Sequence, residues 1–168
     1  WSSNSIVVRR FTADGVPDTA FANAGEARVV VGDAEPRATD LAVAPGGGIA
    51  VSARSYSGTP RVQTAAVVRL TPGGAPDTSF GGDGVATAPG RAPASVGISR
   101  IAELPDGKYV AAGDLNGSLF VARFNRDGSF DTSFGNGGRT RVFAEAEHTG
   151  YPTGLALLQD GAILAAGN

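Results

Sequence analysis

Three near-copies of one short motif constrain this chain more than anything else in it: "PDTAF" at 17–21, "PDTSF" at 76–80 and "FDTSF" at 130–134. Their aspartates lie 59 and 54 residues apart. Before each motif comes an apolar run closing on Arg and an apolar residue, then a turn: "VVRRFTADG" (7–15), "VVRLTPGG" (67–74) and "VARFNRDG" (121–128). After each, four residues beyond the Phe, comes a glycine: Gly25, Gly84 and Gly138. A second motif keeps the same register, "LAVAPGGGIAVSA" (41–53), "IAELPDGKYVAAG" (101–113) and "LALLQDGAILAAG" (155–167), with Gly47, Gly107 and Gly161 spaced by 60 and 54. Two motifs sharing one period define a repeat unit of about 55–60 residues.

Each unit holds four apolar or alternating stretches of strand length bounded by turn residues. In the third unit they are 119–125, 139–144, 154–159 and 162–167, which reads as a small four-stranded antiparallel sheet. Sheets of that size repeated radially are the blades of a β-propeller. A β-helix needs a shorter repeat, and helical repeats need a 3.6-residue periodicity that is absent. The 25 glycines, 10 prolines and single lysine fit short strands and tight turns. The expected fold is therefore all-β, a β-propeller of four-stranded antiparallel blades, with three repeat units in one segment spanning 1–168. The units fall near 5–64, 65–118 and 119–168, with the blades offset from them by circular permutation. Because the chain opens on the strand before the DT motif, it should carry half a blade, two complete blades and the complementary half. Ordinary propellers have roughly 4–8 blades, so the segment is expected to be part of a larger ring or to complete one with other copies. The opening "WSSNSIVVRRF" has no initiating Met and no signal-peptide core, and reads as the start of a mature or excised segment.

The repeated polar residues have constant offsets. Arg10 and Asp18, Arg69 and Asp77, Arg123 and Asp131 are each eight apart. In a hairpin centred on Asp14, Gly73 or Asp127 such residues face each other, so three cross-strand ion pairs are expected, the guanidinium fork matching the carboxylate. The Asp side chains should also accept from backbone N–H groups two residues on. Phe21, Phe80 and Phe134 are expected to drop into the core between blades. A cation site at Asp77 and Asp83 is the competing use of the same loop, but it lacks EF-hand spacing. Position 83 aligns with Ala24 and Gly137 in the other copies, so a turn is the better reading.

Several functions find no support. The net charge is −2 and the arginines are scattered, which gives no field for nucleic acid, and no apolar run is long enough for a membrane span. With no Cys and one histidine, His148, thiolate and multi-histidine metal cages are excluded; no cofactor is expected, and only carboxylate or carbonyl Ca²⁺ sites stay open. His148 has no nucleophile motif around it and reads as a surface-loop residue. No phosphate-binding glycine motif is present. Paired loop acids, Glu145 with Glu147 and Glu35 with Asp40, keep a carbohydrate hydrolase or lyase as the alternative.

The pattern V-x-R-[FL]-x-x-D-G-x-x-D-T-S-F-G-x-x-G followed by L-x-[PQ]-D-G-x-[IYV]-[LV]-A-A-G resembles the delta-sixty repeat family of bacterial β-propeller-like proteins. The likeness is strongest at 124–138, 70–84 and 104–113, and weakest in the first unit, with "FANAG" and "APGGGIAVSA". It implies a propeller in a secreted or cell-surface bacterial protein, and brings no catalytic residues with it. Together these features favour a non-catalytic binding or assembly module, its partner another protein or a surface glycan, further blades, or copies of itself. A plain structural spacer is a third reading. Contacts are expected on the variable stretches 32–39, 54–64, 88–97 and 144–153, at Arg37, Tyr56, Arg61, Arg91, His148 and Tyr151, since loops on a repeated scaffold carry specificity.

Overall fold

A computed structural model describes residues 4–32, 34–57, 62–88, 96–142 and 150–168. Arg61, Arg91, Glu145, Glu147 and His148 lie outside the described residues.

Twelve strands are described. β1 (Ser5–Arg9) and β2 (Glu26–Val30) form a two-stranded sheet. β3 (Ala34–Val43), β4 (Ile49–Ser57), β5 (Val62–Leu70) and β6 (Val85–Ala88) form a four-stranded sheet in chain order. The pattern recurs with β7 (Val96–Glu103), β8 (Tyr109–Leu115), β9 (Ser118–Phe124) and β10 (Arg139–Arg141). β11 (Pro152–Leu157) and β12 (Ile163–Gly167) pair as a last two-stranded sheet. Every pairing between them is antiparallel. These are two complete blades flanked by the outer half of one and the inner half of another.

The four stretches of the third unit thus do not form one sheet. Of these stretches, Ser118–Phe124 and Arg139–Arg141 belong to the second blade, whereas Pro152–Leu157 and Ile163–Gly167 open the next. The reason is the path of the chain: it builds each blade from inner to outer strand, and the DT hairpin joins the third strand to the fourth. A repeat counted from that hairpin is cut mid-blade. The outermost strand is also shorter than the sequence implies, only Arg139–Arg141, and such short, charged outer strands leave little edge for stray pairing.

The middle strands are apolar on both faces because each blade is sandwiched between neighbours. β8, "YVAAGDL", is buried along almost its whole length. Its alanines and Gly113 allow a close approach: a Cβ on Gly113 would sit 1.9 Å from the Gly97 carbonyl oxygen. First strands neighbour one another, β7 packing on β3 and β4, and β11 on β7, as inner strands do around a propeller axis. Each carries a register shift at the same repeat position, between Ala38 and Asp40, Ile98 and Arg100, and Pro152 and Gly154. The bulges turn polar groups sideways. Asp40 Oδ2 accepts from Ile101 N–H at 3.0 Å, Thr39 Oγ1 donates to the Ile98 carbonyl at 2.8 Å, and Arg100 Nε donates to the Thr153 carbonyl at 3.0 Å, so blades are stitched across this row.

Candidate functional site

The antiparallel order puts two kinds of connection at opposite ends of the blades. One end holds the DT hairpins and the P-D-G turns. The other holds the ends of β4, β5, β7 and β8, with Tyr56 and Tyr151 among the described candidate contact residues.

At the hairpin end, the repeated turns share one geometry. The N–H of Thr12, Thr71 and Asn125 donates to the carbonyl four residues on, and Gly15, Gly74 and Gly128 close the turn with positive φ. The P-D-G turns do the same at Ala44, Leu104 and Leu158 with Gly47, Gly107 and Gly161. This is a type I turn followed by a left-handed residue, which glycine adopts without strain. The hairpin register brings Asp18, Asp77 and Asp131 N–H onto the carbonyls of Arg10, Arg69 and Arg123 at 2.9–3.0 Å.

The side chains follow. Arg10 Nε stands 2.8 Å from Asp18 Oδ2, Arg69 Nε 3.2 Å from Asp77 Oδ2, and Arg123 Nε 2.7 Å from Asp131 Oδ2. The contact is not a fork on a carboxylate. Only Nε meets the Asp, because Oδ1 is occupied by the backbone N–H of Ala20, Ser79 or Ser133 at 3.1 Å. The spare guanidinium nitrogen reaches forward instead: Arg10 Nη1 donates to the Pro72 carbonyl at 2.9 Å and Arg69 Nη1 to the Arg126 carbonyl at 3.2 Å. The first two hairpins therefore latch onto the turn of the next blade, whereas Arg123 Nη2 donates to the Ser133 hydroxyl at 3.1 Å. Ala22 N–H to Gly73 O (2.7 Å) and Gly81 N–H to Asp127 O (2.9 Å) complete the latch.

Phe21 and Phe80 are fully buried between blades, lying over Gly74 and Gly128 of the following turn. A Cβ on Gly74 would meet the Phe21 ring at 2.7 Å, so these turns need glycine for space as well as for φ. Phe134 departs from the expectation. It is only half-buried, beside Val110, Val121 and β12, because no following turn covers it among the described residues.

The carboxylates are strongly committed. Lys108 Nζ joins Asp131 at 2.7 Å, and with the Ser133 hydroxyl and Arg123 it holds that carboxyl well below the ordinary carboxylate range. The Ser79 hydroxyl, 2.6 Å from Oδ1, does the same for Asp77. Asp83 Oδ1 accepts from Val85 N–H at 2.9 Å and starts β6. Both acids of the cation reading thus bond to their own loop, and no group of three or more metal-ligating side chains gathers among the described residues.

The loop end is different in kind. Arg54 at the end of β4 crosses to the second blade, where its Nη2 meets the Ser99 hydroxyl and lies 3.3 Å from Asp114 Oδ1. Gln63 stands beside them, with its Nε2 2.5 Å from where a Gly97 Cβ would be. Tyr56 Oη donates to Gln63 Oε1 at 3.4 Å, and the Arg54 guanidinium lies 5.9 Å from the centre of the exposed Tyr151 ring. Three buried polar atoms here, Arg54 Nε, Gln63 Nε2 and Asp114 Oδ1, have no hydrogen-bond partner among the described residues, the last making only its off-line ion pair. Burial pushes the Asp114 carboxyl up, against the opposing pull of Arg54.

Of the candidate contact residues, the structure gathers Tyr56 and Tyr151 around this cluster. Arg37 is exposed on β3 and pairs in register with Arg54. Of the possible catalytic acids, Glu35 is exposed at positive φ, and Asp40 is spent on the Ile101 amide. Arg54, Gln63, Ser99 and Asp114 are the residues that sequence reasoning missed. A signal existed: seven residues past each P-D-G glycine stand Arg54, Asp114 and Asn168, one repeat position with three different polar side chains at the end of an apolar strand.

A sequence family described as a beta-propeller domain of unknown function (DUF5122) matches residues 49–80 and 104–134. Each matched segment runs from a second strand or the turn before it through the DT hairpin, the most regular part of the repeat. Comparison with curated proteins and with solved structures gave no match. The sheets and the two matched segments make this chain a β-propeller-type repeat protein.

Proposed function

We propose that this chain is a non-catalytic binding module of the delta-sixty repeat kind, from a secreted or cell-surface bacterial protein, which holds a glycan or protein ligand at the loop end of its blades. The observation that carries the reading is the contrast between the two ends. At the hairpin end, the same Arg and Asp recur at all three equivalent positions and face each other at 2.7–3.2 Å. At the loop end, equivalent positions differ, as in Arg54, Asp114 and Asn168. Unmatched donors and acceptors beside an exposed Tyr151 suit a hydroxyl-rich ligand that stacks on one face of a ring and hydrogen-bonds at its edge.

A glycan array probed with the purified chain tests this. Retention of at least one polysaccharide without release of product, lost in Tyr151→Ala, is the expected result. Sugar release that Glu145→Gln or Glu147→Gln abolishes would make the chain a hydrolase or lyase instead. Binding to nothing but its own copies would make it a spacer.

A further inference from the structure

We infer that the groove between the two complete blades at the hairpin end is a second binding site, which takes a lysine side chain of a partner protein and sets its ammonium group against the Glu103 carboxylate. The groove lies at the opposite end of the blades from the ligand site proposed above and does not depend on that reading.

One cross-strand pair closes each P-D-G turn. It is Val43 with Ile49 in the first complete blade and Leu157 with Ile163 in the last half-blade, but Glu103 with Tyr109 in the second complete blade. The two apolar pairs show that the turn forms without a carboxylate at this position. Nor do the surroundings of Glu103 answer its charge. Its Oε2 is sealed from solvent and has no hydrogen-bond partner among the described residues. The cations of the adjoining segments are committed elsewhere: Arg69 Nε stands 3.2 Å from Asp77, Lys108 Nζ lies 2.7 Å from Asp131, and Arg126 Nε donates to the Asp106 carbonyl at 2.5 Å. Tyr109 is fully buried against Phe80, and burial together with the Glu103 charge beside it pushes its hydroxyl up to about 12. A phenol that stays neutral cannot balance a carboxylate, and burying a charge without a counter-ion is costly.

The groove has a volume of about 370 Å³, at the small end of the roughly 300–1,000 Å³ of ligand pockets, and so suits one long side chain. Pro45, Pro72, Pro105 and Leu104 give it apolar walls, against which a four-carbon stem can lie while its charged head reaches a polar group. Of the charged residues that line it, Arg69 and Asp77 cancel each other, and Glu103 leaves one negative charge over. Arg126, exposed on the rim, disfavours a ligand with a second positive charge, such as a free polyamine. A compact ammonium also fits better than a guanidinium fork, which needs two acceptor oxygens side by side. Glu103 offers one carboxylate with one oxygen sealed, and Asp77 is already bonded to Ser79 and Arg69.

Nuclear magnetic resonance titration of the purified chain with Nα-acetyl-lysine methylamide tests the site. Saturable shifts of the Thr71, Leu104 and Gly107 amides are expected, with a dissociation constant of about 1–10 mM, as befits a single side chain. Glu103→Gln should weaken binding at least about tenfold. Glu103→Val, which installs the residue of the sister blade, should do the same, and both variants should keep the wild-type melting temperature. Tyr151→Ala should bind the capped lysine as the wild type does. Equal binding of Nα-acetyl-norleucine methylamide, which keeps the stem and lacks the charge, would overturn the proposal. So would shifts confined to the loop end, the lack of any saturable shift, or undiminished affinity in Glu103→Gln. A lower melting temperature in both Glu103 variants would also overturn it, making the carboxylate a brace for Tyr109.

Discussion

At the scale of single residues, the repeated aspartates matter for what each oxygen is tied to. Asp131 has the most partners, Lys108, Arg123 and both donors of Ser133; Asp77 has Ser79 and the longer Arg69 contact; Asp18 has only Arg10 and one amide. Substitution by Ala should therefore lower the melting temperature most at 131 and least at 18. A carboxyl held below its ordinary value stabilises fully above that value and loses the contribution as pH falls through the folded one. Asp131 and Asp77 should thus make the fold acid-sensitive below about pH 4. Asp114 has the opposite sign, its contribution declining as pH rises through its raised value. Urea denaturation at pH 6 and pH 3 should show Asp131→Asn less stable than the wild type at both, with a narrower gap at pH 3.

The element that does most to hold blades together is the hairpin with its forward grip. Phe80→Ala removes a fully buried ring between blades and should cost about 3–5 kcal/mol. Phe134→Ala, half-buried, should cost clearly less. Gly128→Ala forces a Cβ to 2.9 Å from Ala86 and into a left-handed conformation, and should cost about 2 kcal/mol or more. Denaturant titration of the three variants gives the ordering. The Arg–Asp offset and the turn glycines were legible in the sequence because eight residues across a tight turn leave one geometric solution. That the guanidinium keeps a nitrogen for the next blade was not, since nothing in the spacing of Arg69 and Asp77 tells where Arg126 will lie. Nor were the three matching bulges, which arise where first strands bend past one another and leave no composition signal.

For the whole molecule, fold class and the half, whole, whole, half order of blades could be read from the repeat alone, because each unit is one supersecondary piece that must bury its faces against its neighbours. The loop-end cluster could not, because Arg54 and Asp114 meet only when two blades stack. The same one-dimensional logic sets where the fold is weakest. β5, β8 and β9 are flanked on both sides, whereas β1, β2, β11 and β12 are flanked on one. Native-state hydrogen exchange should therefore be slowest in the former group.

Near-identical modules carry a hazard of their own: during folding, any blade can dock on the wrong neighbour, since the Arg, Asp, Phe and Gly of each latch are interchangeable. Arg54 and Asp114 act as an address label against that error. Only the correct order sets a positive residue against a negative one at the loop end; a swap that stacked the second blade on another second blade would bury Asp114 against Asp114. Exchanging the two charges, Arg54→Asp with Asp114→Arg, should restore refolding yield lost in either single variant.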